Sequence, residues 1–139
     1  MRLRKSGRPV YRFVEHTGEV ELAIEAPTEE AVFGDALLAL RELIDCGEEG
    51  RPARHDVDVS ADDRALLLVE WLTALVFLAE VEEFVPERVA AFELSGDRLR
   101  ATVDGRRARP AHLVKAVTLN SLEFGPENGG WHGRVVLDV

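Results

Sequence analysis

The chain has 139 residues, with 17 Lys and Arg against 26 Asp and Glu and a formal net charge of −9. That balance disfavours autonomous nucleic-acid binding, which needs a concentrated Lys/Arg footprint that neutralises several phosphates at once; 46% hydrophobic and 31% charged residues exclude a disordered composition. The charge is uneven: residues 1–14 hold five bases and no acid, residues 15–93 hold 21 acids and five bases, and residues 94–139 hold five acids and seven bases.

Val10 to His16 and Glu19 to Glu25 read as two strands. Alternation in the second puts Val20, Leu22 and Ile24 on one face and Glu19, Glu21 and Glu25 on the other. Pro27-Thr28 followed by Glu29 and Glu30 is a helix start, with Thr28 as N-cap and the acids in the first turn, where the helix dipole favours them. Phe33, Ala36, Leu37, Leu40 and Ile44 continue as a helical stripe; Cys46 reads as a core residue at the helix end and Gly47 as the C′ residue. Residues 47–52 form a loop, and a short strand covers Asp56 to Val59. Ser60-Ala-Asp-Asp63 has capping-box form and opens the longest helix, from about Asp62 to Glu82. This helix is apolar over more than half its circumference and must lie against a sheet.

Phe84 to Leu94 and Arg98 to Val103 form a hairpin across Ser95-Gly96-Asp97, and residues 105–110 form a basic loop. Val114 to Phe124 and Trp131 to Leu137 are strands flanking a Gly-rich connection over residues 125–130. Two helices and about seven strands with hairpin-length connections predict an α+β fold. The expected form is a two-layer sandwich, a mainly antiparallel sheet with both helices on one face, in a single domain over residues 1–139 whose first nine residues are flexible.

Several chemistries lack support. No glycine spacing matches a phosphate-binding loop, and His16, His55, His112 and His132 show no short metal-ligand spacing, so they read as surface or capping residues. The lone Cys46 makes neither an internal disulfide nor a cysteine-rich zinc site, which points to the cytoplasm. Arg2, Arg4, Lys5 and Arg8 are followed by no apolar stretch, and the apolar segment 65–79 is interrupted by Glu70 and too short to span a bilayer. Neither a signal peptide nor a membrane association is expected.

The acids carry more information. Glu19, Glu21 and the closing Asp138-Val139, with its free carboxylate, supply hard oxygen ligands if the first and last strands converge at one sheet end; otherwise they are solvated strand acids. Calcium takes roughly six to eight oxygens, so two or three carboxylates leave a shell that water or a partner must complete. Lys115, inside an apolar strand, either snorkels or meets a carboxylate. Trp71 and Trp131 read as core contacts.

Three blocks, in order, resemble the archease family: Glu15-His-Thr-Gly-Glu-Val-Glu21, Lys115-Ala-Val-Thr118 and Val135-Val-Leu-Asp-Val139, supported by the Leu67 to Trp71 helix and Glu83-Phe-Val-Pro86. The resemblance implies a non-enzymatic protein that activates the GTP-dependent RNA-splicing ligase, which joins 3′-phosphate or 2′,3′-cyclic phosphate ends to 5′-hydroxyl ends. It would promote ligase guanylylation and multiple turnover, meeting RNA only indirectly. By position, the implied metal ligands are Glu19, Asp138 and, through main-chain oxygens, Val139. Calcium is the first expectation, with manganese and magnesium as alternatives. Lys115, His16 and Glu21 are further candidates. Glu19 stands where the family usually has Asp, and Asn120 follows the Lys-Ala-x-Thr strand where many members have His or Ser. The alternative reading is a metal-dependent phosphohydrolase using Glu19, Glu21 and Asp138, with metal-activated water as nucleophile.

Overall fold

The structure, a computed structural model, describes residues 10–45 and 47–139. The expected flexible start and the core role of Cys46 lie outside the described residues. In chain order the elements are β1 (Val10–His16), β2 (Glu19–Ala26), α1 (Glu29–Ile44), β3 (Arg51–Ser60), α2 (Arg64–Val81), β4 (Phe84–Ser95), β5 (Arg98–Arg107), β6 (Ala116–Glu127) and β7 (Gly130–Asp138). The α+β class, the element order and the antiparallel pairing match expectation, but the strands divide between two sheets. One is four-stranded, β1-β2-β7-β6, and the other three-stranded, β3-β5-β4.

The division follows from the helices. α2 is apolar almost all round, and such a helix must be covered from more than one side. It packs on β6 of the first sheet and on β3, β4 and β5 of the second, while α1 packs on β1, β2 and β7 of the first and on β4 of the second. Phe33 of α1 shows the consequence, with its ring 5.5 Å from Phe124 in one sheet and 6.0 Å from Phe92 in the other. One continuous core results, drawing Leu22, Ile24 and Val135 from the four-stranded sheet, Leu37, Leu40, Leu68 and Leu72 from the helices, and Phe84, Leu99 and Val103 from the three-stranded sheet. Trp71 is fully buried there, and its indole N–H donates to the Phe33 carbonyl at 2.9 Å. Truncating such a residue to alanine costs about 3–5 kcal/mol. Gly133 lets both helices seat on β7, because a Cβ there would lie 3.0 Å from Val32 Cγ1 and 3.3 Å from Leu68 Cδ2.

Local chemistry sets the boundaries. Thr28 caps α1, its hydroxyl accepting from the Ala31 N–H at 3.1 Å. α2 starts later than its capping-box form predicts: Asp63 is the N-cap and accepts from the Leu66 N–H at 2.8 Å, while Ser60 ends β3. β3 extends back to Arg51 because it is an edge strand, where Pro52 can sit without breaking the ladder. β5 likewise runs through Arg107, so the expected basic loop is partly strand. The β6–β7 connection is two residues, Asn128-Gly129, both with positive φ (50° and 79°), the pairing a tight hairpin turn requires.

Candidate functional site

β1, β2, β7 and β6 lie side by side, and their register lines up the residues singled out from sequence. Glu19 of β2 stands directly opposite Asp138 of β7. On the outer flanks His16 of β1 faces Glu19 and Ala116 of β6 faces Asp138. One row across the sheet end therefore reads His16, Glu19, Asp138, Ala116. The acids share a face because alternation sends Val20 and Leu137 into the core, where they are 5% and 0% exposed. Directly opposed residues in an antiparallel pair have Cα atoms about 4.5–5.5 Å apart, within the span of two carboxylates closing on one ion.

Two main-chain bonds hold this end. The Lys115 N–H donates to the Asp138 carbonyl at 2.7 Å, and the Val139 N–H donates to the Gly18 carbonyl at 3.0 Å. Gly18 supplies the positive φ (75°) of the β1–β2 turn. Val139 is thereby kept opposite Gly18, next in sequence to Glu19. Lys115 falls just before β6 rather than inside it, with its side chain exposed and its neighbour Val114 buried.

Glu21 shares the face but is drawn away. Its carboxylate is 3.6 Å from the Arg134 guanidinium, which also donates to Glu123 at 3.3 Å, while the His132 ring meets Glu123 at 3.1 Å. Arg134 was not singled out from sequence, although the alternation His132, Arg134, Val136, Asp138 marks it as a neighbour of Glu21. Among the described residues no cation forms an ion pair with Glu19 or Asp138. Like charges directly opposed in a sheet are unfavourable, and a bound cation would relieve the pair.

The donors are all oxygens, a set that suits calcium, magnesium or manganese better than zinc. Glu19, Asp138 and the Val139 main-chain oxygens fit part of a calcium shell. Among the described residues no group of three or more His, Cys, Asp or Glu side chains is placed to hold a metal. The phosphohydrolase trio is therefore not assembled, since Glu21 is committed to Arg134. No helix among the described residues is long and apolar enough to cross a membrane.

Residues 11–139 match the Archease protein family. The chain is 32% identical to Protein archease of Methanosarcina mazei over 93% of its own length and 95% of that protein. The solution structure of protein 1598 of Methanobacterium thermoautotrophicum superposes with a TM-score of 0.71 at 26% identity, over 93% of this chain and 98% of that one. A crystal structure of an archease from Thermotoga maritima shares the fold, with a TM-score of 0.64 at 18% identity over 100% of this chain and 99% of that one.

Proposed function

The chain belongs to the archease family, and on that premise we propose that it is an accessory protein that activates a GTP-dependent RNA-splicing ligase. It would promote guanylylation and multiple turnover of the enzyme that joins 3′-phosphate or 2′,3′-cyclic phosphate RNA ends to 5′-hydroxyl ends. One observation carries this reading: two carboxylates, Glu19 and Asp138, face each other at a sheet end with no cation among the described residues to neutralise them.

Each residue has a role in this reading. Glu19, Asp138 and the Val139 main-chain oxygens hold a divalent cation, calcium in the first instance. When bound, that cation supplies positive charge to a site otherwise closed to anionic groups. The β1–β2 turn fixes Val139 through Gly18, and Lys115 is fixed to Asp138 through its main-chain N–H. Its exposed ammonium is free to reach an anionic group on the partner. Because the chain fills only part of the coordination shell, affinity is weak alone and stronger in the complex. A ligase that handles GTP and RNA presents positive potential, and the acid-rich 15–93 segment steers this chain toward it. RNA is then met through the ligase, and the setting is the cytoplasm.

The test is ligase guanylylation and turnover with and without the protein, using the ligase of the same organism. We expect stimulation by the natural chain and none by Asp138→Asn. Absence of stimulation by the natural chain would overturn the reading.

A further inference from the structure

Among the described residues, charge pairing across the strands follows a rule with two exceptions. Where both directly opposed residues are acids or Lys/Arg, the signs are opposite at Arg54–Asp104, Asp58–Arg100, Arg88–Asp104, Glu93–Arg100 and Glu123–Arg134. The exceptions are Glu19–Asp138, described above, and Arg51–Arg107, which join β3 to β5 at the far end of the other sheet. The second pair plays no part in the proposed ligase activation.

The arginine pair is placed by a close backbone approach. At Gly50, next to Arg51, a Cβ would lie 2.0 Å from the Arg107 carbonyl oxygen, so only glycine lets the incoming chain draw this near to β5. Both arginines are exposed and open into a cleft of ≈ 510 Å³ also lined by Glu48, Glu49, Glu83, Ala108 and Arg109. Glu83 in this cleft meets Arg109 at 3.1 Å, and the Glu48 carbonyl is taken by Arg106 at 2.7 Å. Among the described residues no carboxylate forms an ion pair with Arg51 or Arg107.

We propose that Arg51 and Arg107 form a binding site for one phosphate group. Two guanidinium groups projecting from directly opposed positions offer paired N–H donors, the arrangement that recognises a tetrahedral anion through bidentate hydrogen bonds. The ligand relieves the like-charge pair, as a cation would at Glu19 and Asp138. Glu48 and Glu49 at the rim oppose anions in general and keep the site weak, so selectivity for a tetrahedral oxyanion rests on the forked guanidinium donors. The phosphate comes either from single-stranded RNA or from a free small molecule. With one or two phosphate contacts the affinity for RNA falls only shallowly with salt, on the order of −0.7 in log K per log salt for each contact.

The probes are inorganic phosphate and a short RNA oligomer bearing a 3′-phosphate, titrated into the full chain by NMR, with thermal unfolding in parallel. Expected are shifts at the Arg51 and Arg107 amides and a phosphate-dependent rise in Tm. Affinity should fall by about tenfold or more in Arg51→Gln/Arg107→Gln and rise in Glu49→Gln. Arg51→Glu serves as the second variant: it creates an opposite-sign pair and should raise Tm without phosphate while abolishing the phosphate response. Tighter binding of the oligomer than of inorganic phosphate assigns the source to RNA; equal binding assigns it to a free phosphate. No response of the natural chain at millimolar phosphate, or an undiminished one in the double variant, would overturn the proposal. Since neither measurement involves the ligase, failure here leaves the activator reading intact, and the converse holds.

Discussion

Glu19–Asp138 and Arg51–Arg107 are the same device built twice with opposite sign, each setting like charges face to face across neighbouring antiparallel strands. They differ in stiffness. The acids are half-buried, carried on short side chains, and locked by the bonds from Lys115 to Asp138 and from Val139 to Gly18. The arginines are exposed, carried on long side chains, and one lies at the start of an edge strand. A small hard cation needs oxygens at fixed distances, and the two main-chain bonds restrain the backbone that carries the acids. A phosphate tolerates adjustment because guanidinium donors come as a planar fork that can turn toward it. Rigidity, as much as charge, is what separates the proposed cation site from the proposed anion site.

The compensated charges on the same sheets supply the control. Arg106 donates to Asp45 beyond the end of α1, to Glu87 of β4 at 2.8 Å and to the Glu48 carbonyl at 2.7 Å, with a side chain only 12% exposed. Its hydrogen bond is the main reason the Asp45 carboxyl sits below its usual range. Asp104 and Asp58 are likewise held low, chiefly by hydrogen bonds from Arg54 and Arg98.

The largest effect is expected at the acidic pair. Asp138→Asn should abolish ligase stimulation, and calcium or manganese titration followed by NMR should lose its response at Glu19 as well. A retained metal response at Glu19 would show that the two carboxylates do not act together.

Next comes Arg106→Ala, which leaves Glu87 without its cation and Asp45 with only the Arg41 guanidinium at 3.6 Å. We expect a loss of about 2–3 kcal/mol by denaturant unfolding. Arg51→Ala, with no carboxylate to release, should lose none.

A pH series sharpens the same contrast. A carboxyl depressed in the folded state contributes stability that is fully present above its unfolded value, about 3.9 for Asp, and that is lost as pH falls through the lower folded value. Stability should therefore decline below about pH 4, and the decline should be shallower in Asp45→Asn, measured by thermal unfolding at each pH.

The smallest effects concern sign. In metal-free buffer Glu19→Gln should stabilise by roughly 0.2–1 kcal/mol, whereas Glu123→Gln, which removes the directly opposed one of Arg134's two carboxylate partners, should destabilise by a similar amount. Equal signs for the two would remove the basis for treating Glu19–Asp138 as an exception.

Much of this was legible along the chain. β1 and its pairing partner follow from alternation, and α1 from Thr28 and the stripe through Phe33 and Ile44, because both patterns are local. Turn and cap chemistry was harder where signals compete. Gly-rich residues 125–130 suggested a six-residue hairpin connection although Asn128-Gly129 alone suffices to turn the chain, and Ser60 offered a cap that Asp63 supplies. The acidic site was readable only as a condition, that the first and last strands converge. Arg51 and Arg107 were invisible as a pair, since both fell in segments read as loop and nothing local couples them.

Residue order thus set the α+β class, the element sequence, the acidic middle and the identity of the blocks around Glu19, Lys115 and Asp138, all consequences of short-range periodicity and composition. It could not set how seven strands share two helices. That depended on α2, whose apolar circumference needs cover from both sheets, and on long-range register, since shifting a strand by one residue turns its side chains to the opposite face. Register is what sets Glu19 against Asp138 and Arg51 against Arg107.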